Sequence, residues 1–138
     1  MKKISSVLII DNDPIHNFIC KNAINRMKGC KNLHFESDGL AGINYIKRLI
    51  EKNAPLPQII LLAVHMPVLD GFEFIERFHG LDTNETYNTQ IIFISPSVPR
   101  IPAHFIHEIR YISKPVNSVK LSSLFHTVKS NQNVYSAR

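Results

Sequence analysis

The chain has 138 residues, 44% of them hydrophobic and 20% charged, which fits one ordinary globular domain with a single buried core. No apolar run approaches the ~20 residues that cross a bilayer, and the short run after Met1-Lys2-Lys3 is no export signal, so a cytoplasmic, non-membrane protein is expected. The net charge of +5 is scattered, as at Lys21, Arg26, Lys28 and Lys31 or Lys47, Arg48 and Lys52, without aromatic–basic interleaving, which argues against direct nucleic-acid binding.

In chain order, Val7 to Ile10 is a short apolar run that predicts a first strand. Asp13 suits a helix N-cap and Pro14 the first helical position. Ile15, Phe18, Ile19, Ala23 and Met27 then recur at helical spacing as the expected buried face, with Gly29 as the terminator. Cys20 and Cys30, the only cysteines, form neither a disulfide framework nor a metal motif. Leu33 and Phe35 alternate with polar neighbours, a second strand. Ser37-Asp38-Gly39 opens a helix with Leu40, Ile43, Ile46, Leu49 and Ile50 on its apolar side, ended by Pro55 and Pro57.

Ile59 to Ala63 are all apolar and predict a strand covered on both faces. After the turn at Met66-Pro67, a helix with Phe72, Phe74, Ile75 and Phe78 restarts near Gly71. Leu81 to Thr89 predicts a surface loop, Ile91 to Ile94 a fourth strand, and Tyr111-Ile112 the centre of a fifth. Pro96, Pro99 and Pro102 leave only Ala103 to Ile109 for a helix between those two strands. Asn117-Ser118 starts a final helix carrying Val119, Leu121, Leu124, Phe125 and Val128. Residues 1–129 are expected to form the domain and 130–138 a frayed tail.

Strands alternating with helices predict an α/β fold, a flavodoxin-like doubly wound sheet of five parallel strands in order 2-1-3-4-5 with about five helices. Such sheets place their sites beyond the carboxyl ends of the strands, where strand order switches. That rule selects Asp11 and Asn12, Ala63 through His65, Ser95, and Lys114.

The stretch Ile59-Ile60-Leu61-Leu62-Ala63-Val64-His65-Met66-Pro67-Val68-Leu69-Asp70-Gly71 resembles the third strand and following loop of receiver domains from two-component response regulators. The likeness extends to Leu8-Ile9-Ile10-Asp11-Asn12-Asp13-Pro14, to Ser95, and to Ser113-Lys114-Pro115 with Tyr111 before it. It implies an acidic pocket at Asp11, Asn12 and Asp13, a phosphoacceptor position at Ala63, a hydroxyl at Ser95 and a cation at Lys114. It also implies a Ser95–Tyr111 switch, and a metal held by Asp11, position 12 and the His65 carbonyl.

Two positions depart from the family pattern. Ala63 stands where the family has its acceptor aspartate, and Asn12 replaces the second acid. Alanine has no oxygen to carry a phosphoryl group. With two negative charges lost from one pocket, a direct or water-bridged Asp11–Lys114 interaction is expected, and a weak or empty Mg²⁺ site with no other cofactor. His65 reads as a loop side chain, and His104 with His107 as surface residues on a helix without a third ligand.

The resemblance implies a non-enzymatic signalling domain of the phosphorelay type, acting by contact with a histidine kinase, a phosphotransfer protein or an effector. The alternative is an ordinary phosphoaccepting receiver whose aspartate at position 63 has been exchanged for alanine. A flavodoxin-like small-molecule binder is disfavoured, because Asn12-Asp13-Pro14-Ile15 offers no glycine-rich phosphate cradle.

Overall fold

The computed structural model describes residues 4–81 and 83–130. Its elements run β1 (Ile4–Ile10), α1 (Pro14–Met27), β2 (Cys30–Glu36), α2 (Gly39–Glu51), β3 (Ile59–Ala63), α3 (Gly71–His79), a 3-10 turn (Asn84–Asn88), β4 (Gln90–Ser95), β5 (Tyr111–Ser113) and α4 (Ser118–Ser130). The strands pair in parallel in the order β2-β1-β3-β4-β5, as the alternation of strand and helix patterns predicted.

All of β3 is buried because helices cover both faces of the sheet. On one face Leu8, Ile10, Ile60 and Leu62 pack against Ile43 and Ile46 of α2 and Phe74 and Phe78 of α3. On the other, Ile9, Leu61, Ile92 and Ile94 meet Cys20 and Ile24 of α1 and Leu121, Leu124 and Phe125 of α4. Helix starts follow local chemistry. Asp13 accepts the amides of Ile15 and His16, Asp38 that of Ala41, and Asp70 forms a capping box with Glu73.

Several expectations are corrected. The helix over Ala103 to Ile109 does not form, so the described residues hold four α-helices rather than about five. Pro96, Pro99 and Pro102 remove three amide donors, and the segment instead turns, with the Phe105 amide bonding the Pro102 carbonyl at 3.0 Å. Phe105 and Ile109 are buried from this irregular backbone.

The buried face of α1 also differs. Ile15 and Phe18 are 73% and 64% exposed and Ile19 is at the surface, whereas His16, Cys20, Ala23 and Ile24 face the sheet. A polar side chain takes an inward position there because it finds polar partners below. Leu40 and Val119 likewise lie outward rather than on the inner faces of α2 and α4. Finally, α1 is closed by Lys28 in the left-handed conformation, φ 54°, one residue before Gly29. Of the frayed tail expected over residues 130–138, Ser130 closes α4, and residues 131–138 lie outside the described residues.

Gly71 joins the end of β3 to α3. A Cβ there would meet the Ala63 carbonyl oxygen at 2.7 Å and a Phe93 ring carbon at 2.6 Å. The Gly71→Ala protein is therefore expected to lose about 1–3 kcal/mol of stability through overpacking against backbone. Urea unfolding measures this, and an unchanged midpoint would contradict the close approach.

Candidate functional site

Asp11 follows β1, and its amide bonds the Glu36 carbonyl at 3.2 Å, fixing it past the edge of the β1–β2 ladder. The residue is 1% exposed. A buried carboxylate is costly unless charge and hydrogen bonds surround it. Three elements supply them. The Lys114 ammonium lies 2.9 Å from Oδ2, the His16 Nδ1 3.4 Å from the same oxygen, and the Asp13 amide donates to Oδ1 at 3.1 Å. Burial by itself pushes this carboxyl up, but His16, Lys114 and the Asp13 amide together outweigh it and hold it below the usual range.

Lys114 reaches Asp11 from the end of β5, where its amide bonds the Ser95 carbonyl at 2.8 Å. The following bond to Pro115 is cis, and the Val116 amide then donates to His16 Nε2 at 3.2 Å. Since Nε2 accepts, the ring proton of neutral His16 sits on Nδ1, facing Asp11. One imidazole thus links the ends of β1 and β5 to the chain entering α4.

His16 is the functional residue that sequence reasoning missed. Its signal was the i, i+4 pairing with Cys20 inside an otherwise apolar stripe, three residues after the N-cap. Cys20 Sγ lies 3.6 Å from His16 Nδ1. The Cys–His–Asp grouping is not a nucleophile, however. Burial and the Asp11 charge push the Cys20 thiol up to about 12, and the side chain is shut from solvent.

The other predicted positions separate. Ala63 ends β3 opposite Ile94, buried in the apolar cluster that holds Val64, Leu69 and Phe72. Ser95 ends β4 and is buried; its Oγ accepts the Ser97 amide at 3.4 Å. Asp13 caps α1, while the side chains of Asn12 and His65 face solvent. Tyr111 is 36% exposed on the edge strand. His104 and His107 do not share a helix, and among the described residues no three His, Cys, Asp or Glu side chains are placed to hold a metal.

Residues 7–126 match the profile of the response regulator receiver domain. Among solved structures, a two-component response regulator from Cytophaga hutchinsonii superposes with a TM-score of 0.79 at 26% identity, covering 94% of this chain and 100% of that one. A two-component response regulator from Legionella pneumophila gives 0.73 at 14%, covering 92% and 99%. The receiver domain of the histidine kinase CKI1 from Arabidopsis thaliana, solved as an aspartate-to-alanine mutant, gives 0.68 at 18%, covering 94% and 92%. The last two likenesses show the fold alone. A comparison with curated proteins finds none that matches.

The ion pair yields a signed pH prediction. Asp11 is depressed in the folded state, so its contribution is complete above its unfolded value and is lost as pH falls through the folded one. Lys114→Met strands the carboxylate and is expected to cost on the order of 2–3 kcal/mol near neutral pH, below the ~3–5 of a fully buried pair because Lys114 is partly exposed. The gap to the unmutated protein should narrow below about pH 4, where the stranded Asp11 is neutral. Urea unfolding across pH checks this; a gap that stays constant would contradict it.

Proposed function

The chain belongs to the response regulator receiver domain family, and we propose that it signals by standing protein contact, with no phosphoryl group cycling on residue 63. Receiver domains are signalling modules of two-component systems that interact with histidine kinases and effectors. The partner class proposed here is the same: a histidine kinase, a phosphotransfer protein or an effector. Among the described residues no helix is long and apolar enough to cross a membrane, and a cytoplasmic place of action fits this reading.

The observation that carries the proposal is the 2.9 Å pair between Asp11 and Lys114, taken with the alanine that ends β3 and carries no side-chain oxygen. Phosphoryl transfer to a protein needs an acceptor oxygen and concentrated positive charge to hold the transferred group. Ala63 supplies no oxygen. The lysine that would face a phosphoryl group neutralises Asp11 instead, and Asp11 is buried behind it.

A magnesium ion does not fit the same donors. Mg²⁺ asks for oxygen ligands in near-octahedral array. Here the Asp11 carboxylate has its Oδ2 engaged by an ammonium and its Oδ1 by an amide, and the Asp13 carboxylate is taken up in capping α1. Asn12 contributes at most a neutral amide oxygen, and the His65 carbonyl another. A dication would have to displace Lys114 to gain a single negative charge.

The Ser95–Tyr111 pair of the family pattern is read here as held in one arrangement. Ser95 is tied into the turn by the Ser97 amide, and the following segment carries three prolines. Its buried Phe105 and Ile109 fasten it to the body of the fold. A surface kept in one state suits a partner that binds constitutively.

The second reading, an ordinary phosphoacceptor with aspartate exchanged for alanine at position 63, draws support from the surroundings. Asp11, Ser95 and Lys114 before a cis proline all occupy their strand ends. The two readings part on Ala63→Asp. Under the constitutive reading this protein remains unphosphorylated by a small acyl phosphate with Mg²⁺; under the second it gains a phosphoryl mass.

For the unmodified chain, Mg²⁺ titration followed by amide shifts is expected to give a dissociation constant weaker than about 1 mM, the weak end for oxygen-donor sites. Sub-millimolar binding that shifts the amides of Asn12 and His65 would contradict the neutralised pocket.

A further inference from the structure

The segment between β4 and β5 lacks the helix expected of it, yet it is fastened to α3 by rings. Phe105 meets Phe72 edge-on, with centroids 5.0 Å apart and planes at 79°. His107 meets Phe105 edge-on at 5.3 Å and stacks on His79, in the last turn of α3, at 4.8 Å and 22° between planes. His79 in turn abuts Phe78 at 5.5 Å. Two imidazoles therefore form the outer end of a continuous aromatic seam whose inner end is core.

We propose that His79 and His107 form a proton-sensitive clasp that holds the β4–β5 segment against α3 at neutral pH and releases it on acidification. Neutral imidazoles stack favourably, whereas two imidazolium rings face to face at this separation repel. Glu76 Oε1 lies 3.6 Å from His107 Nε2. His79 is half-buried beside that pair. Burial, followed by His107, holds His79 below the ordinary imidazole range, and Glu76 opposes this only in part.

Among the described residues, Arg77 neighbours Glu76 on α3, and Arg100, His104, Glu108 and Arg110 belong to the segment itself. The 3-10 turn packed on α3 brings Glu85, which is exposed, and α2 ends with Glu51. Glu76 is the carboxylate that stands within 3.6 Å of His107. The sign follows from His79. Its folded-state value is depressed, so the clasp contributes fully above about 6.5, the ordinary imidazole value, and weakens as pH falls through the folded one.

Release would alter what the segment displays. Val98, Ile101 and Ile106 already face solvent at 71%, 42% and 80% exposure, and Tyr111 of β5 begins two residues after the buried Ile109. Acidification would thus reshape an apolar surface continuous with the edge strand. The clasp lies away from Asp11 and does not depend on whether residue 63 can be phosphorylated.

The test is amide hydrogen exchange on the full chain at about pH 7.5 and about pH 5, corrected for the intrinsic pH dependence of exchange. Protection of the Phe105 amide, which bonds the Pro102 carbonyl at 3.0 Å, is expected to fall at least about tenfold at the lower pH, while β1 and β3 stay protected. His107→Phe and His79→Phe keep a ring in the seam without a titrating nitrogen, and either should remove the fall. His34→Gln, at the distant His34–Glu36 pair, should leave it intact. Unchanged protection in the unmutated chain, or the same fall in His107→Phe, would overturn the clasp.

Discussion

Asp11 cannot be buried alone, and meeting its needs organises one end of this molecule. Taking a carboxylate out of water costs several kcal/mol even after the protein relaxes around it. The chain meets that cost with an ammonium from the end of β5, an imidazole from α1 and an amide from the loop between β1 and α1. The imidazole is itself held by the Val116 amide, so the link continues to the start of α4. Two stretches of chain distant in sequence, Asp11 to His16 and Lys114 to Val116, thus share one charge. Removing any partner leaves a polar group unpaired, which is why this end of the sheet is expected to behave as a unit.

The same arrangement bears on function. A receiver site is a place where charge arrives and leaves, and it must tolerate both conditions. The pocket here pairs the Asp11 carboxylate with the Lys114 ammonium, and the proposed reading rests on that pairing. The irregular β4–β5 segment follows a similar logic. Where a helix would present a regular face, prolines suppress the backbone ladder and aromatic side chains provide attachment instead. Packing of this kind depends on a few rings, and two of them are imidazoles.

Much of this was legible in the residues, because the strongest signals are periodic. The unbroken apolar run from Ile59 to Ala63, bounded by turn residues, fits a strand covered on both sides, and the alternation of strands and helices around it pointed to a parallel doubly wound sheet. Asp13, Asp38 and Asp70 marked helix starts through cap chemistry. The Asp11–Lys114 contact was foreseeable from charge arithmetic once the strand ends were aligned. The face of α1 was not legible, since hydrophobicity favours Ile15 and Phe18, whereas the inward position belongs to a histidine whose partners come from elsewhere in the chain. Lost for the same reason was the role of His16, which depends on an amide 100 residues away. The missing helix escaped because Phe105 and Ile109 sit four apart, a helical spacing that irregular backbone also satisfies. His79 and His107 carried no sequence signal at all, being 28 residues apart on different elements.

The account stands or falls on Asp11 being ionised and paired within the fold. Carbon-detected NMR titration of its side-chain carboxyl measures that directly. The predicted midpoint lies below 3.8, the ordinary aspartate value. A midpoint at or above that value would mean that desolvation, not the lysine and the imidazole, governs the site, and the proposed neutralised pocket would be wrong.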